Sequence, residues 1–401
     1  MHGSQGRPQS IEITLVPHGG IRGRGARCRR PAPGYDRLPQ RRWLLVPRWG
    51  IPTHFCYAPR RVECAEQGVV VAHLPWSDGK RPVTCARMGF LARWARRLSG
   101  RETARTFQTS WEAGDRSVEW WVQGGLAHRE LRGVESIGVD EIHGGRGLRA
   151  DTFLTVIHQM DAHGRRLLWV GRRRSQATLR RGLKALGPEV VKGPRLVCSD
   201  RWKPYWPVIA AQAGQALHVL DRFPITSHLN QAVDQVRRAE STRLGAKSKK
   251  AAQPLKQMRW ALLRRGSRLR GRARQKLNAL LARKLATARA WDLKETFSYF
   301  WKYKSVTWAG GFLDYGCFRA MRSRLEPMKK VARMLRAHEP LILNWFRAKG
   351  EISHGAVEGL HNRIRVVTRR SYGFRTFGAM EIALYHNLER LPKPESPHRF
   401  C

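Results

Sequence analysis

Apolar and polar positions change period several times along the chain, and each change marks a different kind of element. Residues 1 to 27 are rich in Gly and Arg with no sustained period, and are expected to be mostly disordered. Residues 28 to 87 hold short apolar runs broken by Pro, Cys and His, as in CRRPAPGYD and HFCYAPRRVECAEQG, predicting a small β-rich module. Residues 88 to 130 switch to helical spacing: MGFLARWARRL, RETARTFQ and SWEAGDRSVEWWVQ predict three short helices, the third capped by Ser110. That trio suits a helix-turn-helix, or equally a helical linker burying Trp111, Trp120 and Trp121. At 134 the pattern becomes β-branched. VESIGVDEI, DTFLTVIHQMD and RRLLWVGRR predict three strands at hairpin-like separation. SQATLRRGLKALG predicts a capped helix with Leu179, Leu183 and Leu186 on one face. RLVCSD is a fourth strand, WKPYWPVIAAQAG a helix ended by Gly214, and QALHVLDRF a fifth strand. Residues 226 to 340 read as nearly all helix, and SHGAVEGLHNRIRVV predicts one more, with Val357, Leu360, Ile364 and Val367 along one stripe.

Charge narrows the partner. Among 401 residues, 76 Lys and Arg against 30 Asp and Glu leave a formal net charge of +46, a field that attracts a polyanion, above all nucleic acid. Charge alone would equally suit a ribosomal or nucleoid protein. An apolar content of 42% argues against a disordered basic tail. Residues 241 to 290 contain 16 Lys and Arg and no acid, yet keep apolar positions at helical spacing (Leu263, Leu277, Leu280, Leu281, Leu285), which predicts a folded basic surface along a phosphate backbone. No apolar run is long enough to span a membrane and no signal peptide is expected, so the cytoplasm, in association with the nucleoid, is the expected location. Seven scattered cysteines fit a reducing compartment, and none forms the CxxC pair of a zinc ribbon.

The order of elements from 134 to 225 is that of a ribonuclease-H-like domain, in which the first and fourth strands are parallel neighbours. Asp140 ends the first and Asp200 the fourth, so both carboxylates are expected at one sheet edge, where hard oxygen ligands suit Mg²⁺. Either Asp could simply cap its strand. Glu358 lies beside the apolar stripe of its helix, followed by Arg363, Arg365, Arg369, Arg370 and Arg375. It could be an ordinary surface ion-pair partner, or a third metal ligand. Glu141, Asp151 and Asp221 are reserve acids. Trp202, Tyr205 and Trp206 could stack on splayed bases, although core packing is the expected role for such rings.

The stretches IGVDEI (137 to 142), VCSDRWKPYWPVI (197 to 209), HVLDRFPITSHLNQAVDQVRR (218 to 238), AMRSRLEPMKKVARML (320 to 335) and HGAVEGLHNRIRVVTRRSYGFRTF (354 to 377) resemble, in order, the DDE-type insertion-sequence transposases of the ISL-three family. The resemblance implies an α/β, ribonuclease-H-like catalytic domain in two parts, 134–225 and 341–392, split by a basic helical insertion at 226–340. A helix-turn-helix at 88–130 and a zinc-ribbon-like module at 28–87 would precede it, and a tail at 393–401 would follow. It implies the catalytic and metal-binding triad Asp140, Asp200 and Glu358, spaced 60 and then 158 residues apart. Two Mg²⁺ or Mn²⁺ ions would be held roughly 3.5–4 Å apart. Lys203, Trp202 and the five arginines would contact DNA. The partners implied are double-stranded DNA, as terminal inverted repeats and target, and further copies of the chain.

The N-terminal module departs from the family pattern. Only Cys28 and Cys64 fall at zinc-ligand places, and Gln67 stands where a second ligand belongs, so the zinc site is degraded. Two other readings share the charge and order of elements: an inactive DNA-binding protein of a decayed element, and a nuclease or resolvase of the same fold.

Overall fold

The structure is a computed structural model and describes residues 10–143, 153–161, 164–199, 203–220, 223–349, 351, 354–371 and 373–394; for 203, 223–224, 354–358 and 361 it describes the backbone alone. The chain divides into two units, Met1–Glu130 with Val366–Cys401, and Leu131–Arg365.

The first unit opens with six strands: β1 (Ile11–Thr14), β2 (Gly34–Arg37), β3 (Arg41–Leu44), β4 (Thr53–Tyr57), β5 (Arg60–Cys64) and β6 (Gly68–Val71). They form two three-stranded sheets, ordered β1-β4-β3 and β2-β5-β6. β1 corrects the expectation of disorder across residues 1 to 27: IEIT alternates for only four residues, too few to register as a period, yet it pairs in parallel with β4, Ile11 opposite Thr53. Trp43 is fully buried, with the edge of Trp76 against it at 6.2 Å between centroids.

Three helices follow, α1 (Cys85–Ala95), α2 (Gly100–Thr106) and α3 (Trp111–Ala127). Each starts at a side-chain cap: Thr84 accepts from the Arg87 amide, Ser99 forms a capping box with Glu102, and Ser110 accepts from the Ala113 amide. Trp121 is buried as expected, but Trp111, on the first turn of α3, is 59% exposed. The buried Arg87 guanidinium donates to the carbonyls of Leu45 and Phe107, tying the strands to these helices.

The second unit carries a five-stranded sheet and a long helical segment. The strands are β7 (Ser136–His143), β8 (Phe153–Gln159), β9 (Arg166–Arg172), β10 (Leu196–Ser199) and β11 (Leu217–Leu220). Between β9 and β10 lie α4 (Gln176–Leu186) and α5 (Pro188–Lys192), and between β10 and β11 lies α6 (Trp206–Gln212). The order across the sheet is β11-β10-β7-β8-β9. β7, β8 and β9 are antiparallel neighbours, whereas β10 runs parallel to both β7 and β11. Leu179, Leu183 and Leu186 of α4 are buried with Ile137, Val139, Val197, Val208 and Ile209 in one cluster. α4 approaches closely because residue 182 has no side chain: a Cβ there would sit 2.5 Å from the Trp169 ring.

After β11 the chain runs through α7 (Phe223–Lys247), α8 (Lys249–Gln257), α9 (Arg259–Leu263), α10 (Gly271–Leu281), α11 (Ala286–Phe297), α12 (Val306–Arg322), α13 (Glu326–Ala337) and α14 (Glu339–Arg347). These helices share an apolar core that includes Leu262, Leu277, Leu280, Phe300, Leu313 and Phe346. The basic stretch 241 to 290 is therefore folded, with Leu262 rather than Leu263 as its buried anchor. α14 brings the chain back to the sheet, where the Asn344 side-chain amide donates to the His218 carbonyl of β11 at 2.7 Å. Last come α15 (His354–Arg370) and α16 (Phe377–Leu388). Of the stripe read from the sequence along α15, Leu360, Ile364 and Val367 are buried, and the Val357 side chain lies outside the described residues.

Candidate active site

Two of the elements described carry predicted acids, and a third ends beside one. β7 carries Asp140 near its end, β10 ends one residue before Asp200, and α15 carries Glu358 in its first turns. The ladder between β7 and β10 is parallel and sets Leu196 opposite Ser136, Cys198 opposite Gly138 and Ser199 opposite Val139. Side chains alternate across a strand, so Ile137 and Val139 face α4, and Gly138 and Asp140 face the other way. On β10, Leu196 shares that second face and packs with Val219 of β11 and Ala348 at the end of α14. The Asp140 carboxylate thus belongs to the sheet face that the end of the helical segment covers.

Asp140 is buried, 8% exposed, and its Oδ1 accepts from the Glu141 amide at 2.7 Å. A buried hard-oxygen donor at the end of a parallel ladder is the kind of ligand a magnesium ion takes. Glu141 points elsewhere: its carboxylate accepts from Arg174 at 3.2 Å, and Arg174 in turn lies 4.4 Å from the Phe153 ring centre. Asp200, Trp202, Asp151 and Asp221 lie outside the described residues, and for Glu358 and Lys203 only the backbone is described.

Tyr205 is buried, hydrogen-bonded to Thr155 at 2.6 Å, and burial pushes its phenol up to about 12. It is a core residue, as its apolar neighbours imply, and Trp206 packs edge-on to His338 at 4.9 Å. Ser199, immediately before Asp200, is hydrogen-bonded to His218 Nε2 at 2.6 Å, and burial pushes that imidazole down to about 4. A neutral His218 supports the end of β10 without adding charge there. No sequence signal marked it, because the pair joins two strands 19 residues apart.

The predicted DNA-contacting arginines divide by environment. Arg363, Arg365, Arg369 and Arg375 are exposed. Arg370 is half-buried and donates to the carbonyls of Arg96 and Ala95 and to Asn387 Oδ1. It satisfies carbonyls at the C-terminal end of α1, where a cation is favoured, and so has an intramolecular task.

In the first unit, the expected zinc positions come together without a zinc ligand set. Cys28 Sγ and Cys64 Sγ stand 3.4 Å apart. Gly25 completes the cluster, since a Cβ there would touch both sulfurs at 2.6 and 3.1 Å, and the Gln67 side-chain oxygen accepts from the Arg27 amide. Among the described residues no three His, Cys, Asp or Glu stand close enough to hold a metal. Two thiols with a glycine and an amide do not fit a structural zinc site, which takes four N or S ligands.

The family model for ISL3-type DDE transposases, described as "Transposase", matches residues 137–384, from β7 to α16. The transposase for insertion sequence element IS1001 of Bordetella parapertussis is 25% identical over 322 residues, 80% of this chain and 77% of that protein. The transposase for insertion sequence element IS1557 of Mycobacterium tuberculosis is 25% identical over 383 residues, 90% of this chain and 84% of that protein. The matched span contains Asp140, Asp200, Glu358 and the whole helical segment between them, and the chain belongs to the ISL3 family of DDE-type insertion-sequence transposases.

Proposed function

We propose that this transposase binds the terminal inverted repeats of its element, cuts DNA at the element ends and joins the freed 3′-hydroxyls to target DNA. The observation that carries the reading is the parallel ladder ending at Ser199 opposite Val139, one residue before Asp200 and Asp140. Asp140 lies on the sheet face opposite α4, and the reading requires the Asp200 carboxylate to meet it there. The strand order, three antiparallel strands with two parallel ones added beside the first, supports a ribonuclease-H-like core interrupted by the helices α7 to α14.

Asp140, Asp200 and Glu358 would hold divalent ions, Mg²⁺ or Mn²⁺, whose chemistry is activation of the attacking oxygen and neutralisation of charge developing on phosphate. The chain's own share is positional. β7 and the end of β10 would set two acids side by side on the sheet, α15 would supply the third, and the exposed Arg363, Arg365, Arg369 and Arg375 would attract the DNA backbone. The capped trio α1 to α3 supports a helix-turn-helix role in end recognition.

Cleavage of a duplex carrying the element's terminal repeat tests the proposal. The parent protein is expected to nick it only with Mg²⁺ or Mn²⁺, while Asp140→Asn and Glu358→Gln bind the same duplex and leave it whole. Cleavage by either variant at the parental rate would refute the triad. A second reading, an end-binding protein that has lost catalysis, is favoured by the eroded Cys28 and Cys64 site; it requires that the parent bind the repeats and never cut them.

A further inference from the structure

Helix α12 has two apolar faces, and a protein interior accounts for only one. Ala309, Leu313, Cys317 and Ala320 are buried in the core of the helical segment. On the other side, Trp308, Gly311, Tyr315, Phe318 and Arg322 recur at alternating steps of three and four residues, which places them in one line along the helix. All three rings are open to solvent: Trp308 is 73% exposed, Tyr315 58% and Phe318 44%. Two of them carry a guanidinium. Arg322 lies 3.8 Å from the Phe318 ring centre, and Arg319 lies 5.9 Å from that of Tyr315 while also pairing with Asp292.

A line of large exposed rings invites a partner, and its charge decides which. Over residues 306 to 324 there are three arginines, Arg319, Arg322 and Arg324, and one acid, Asp314. Two copies of a chain with a formal net charge of +46 repel one another, which opposes self-association through this seam. A duplex would meet the charge but could not use the rings, since its bases are stacked on one another. Unpaired bases satisfy both, with phosphates on the guanidinium groups and ring faces on ring faces.

We infer that Trp308, Tyr315 and Phe318, with Arg319 and Arg322, form a stacking platform for unpaired nucleotides of DNA. The inference rests on the DNA-processing function proposed above and adds a substrate element to it, a single-stranded segment held by the helical insertion. The sequence pattern of this insertion points to phosphate contacts alone, through residues 241 to 290.

The test uses the full-length protein with a single-stranded oligodeoxynucleotide and the duplex of the same sequence, at one fixed salt concentration. The Trp308→Ala/Phe318→Ala double variant is expected to lose about tenfold or more in single-strand affinity. Its duplex affinity is expected to stay within about twofold, as for ordinary surface substitutions. The Trp308→Phe/Phe318→Trp variant keeps the rings and should keep the single-strand affinity. Equal losses on both DNAs, or no loss on either, would overturn the platform. So would a change of oligomeric mass in the alanine variant, which would make the stripe an interface between copies. Metal-dependent cleavage by the parent is read in parallel. Its failure would count against the proposed catalysis, while the single-strand to duplex ratio judges the platform separately.

Discussion

Replacing Glu240 with alanine should loosen the helical segment at one joint. Glu240 lies on α7, only 4% exposed, and reaches the start of α11, whose own cap position, Leu285, offers no side-chain acceptor. One carboxylate oxygen accepts from the Ala286 amide at 2.9 Å; the other accepts from the Thr287 amide at 2.8 Å and the Thr287 hydroxyl at 2.7 Å. A negative group at a helix N-terminus is also favoured by the helix dipole. Hydrogen bonds to a charged group contribute about 1.5–3 kcal/mol each, but they share one carboxylate and are not additive. Stranding the buried amides costs about 1–3 kcal/mol apiece. The loss for Glu240→Ala should therefore be on the order of 3–5 kcal/mol, which for a unit of this size lowers the melting midpoint by roughly 10 °C. Glu240→Gln keeps one acceptor and should fall between. Differential scanning calorimetry reads the midpoint, and hydrogen exchange at residues 286 and 287 localises the change. An alanine variant that melts within about 1 °C of the parent, with those amides still protected, would refute the assignment of this joint to Glu240.

Burial depresses His218 to about 4 and His386 to about 3, the latter also opposed by Arg96 and then Arg370. Both groups are neutral when folded and protonate more readily when unfolded, so their stabilisation is present above about pH 6.5 and is lost as pH falls toward 4 and 3. The loss should approach about 1.4 kcal/mol per pH unit for each fully linked group, and denaturant titrations at pH 7 and pH 5 should separate accordingly. Gly138→Ala should destabilise the second unit and reduce cleavage, because a Cβ at that position would meet the His158 ring at 2.3 Å, two residues from Asp140; retained stability and activity would show that His158 can yield. Duplex affinity should fall steeply with salt, by about three decades or more between 50 and 200 mM if six or more phosphates are contacted. A flat response would remove the basic helices α8 to α10 from the DNA path.

The parts of the fold legible in the sequence were those with a long apolar period. Leu179, Leu183 and Leu186 on α4 and Leu360, Ile364 and Val367 on α15 are buried where the spacing put them. The five strands of the second unit were legible as well, because β-branched runs such as SIGVDEI and FLTVIHQ are bounded by turn residues. β1 was not, being four residues that become a strand only beside β4. Trp111 misled because helical spacing alone does not say which face meets a neighbour. The strand that carries Asp140 was legible, whereas the Ser199 and His218 pair and the Glu240 joint bring together residues distant in the chain and leave no local pattern. Arg370 looked like its exposed neighbours in sequence, and only the carbonyls of α1 distinguish it.

The long run from α7 to α14 departs just after β11 and returns through Asn344 to the backbone of that same strand. From the standpoint of the sheet it is a short hairpin-like detour, however many residues travel along it. Its core is separate from the cluster under α4, so helices could be added or trimmed there without altering which strand lies beside which. Natural variation in chain length among relatives should then collect between these two gateposts, leaving the alignment of residues 139 and 199 unaltered.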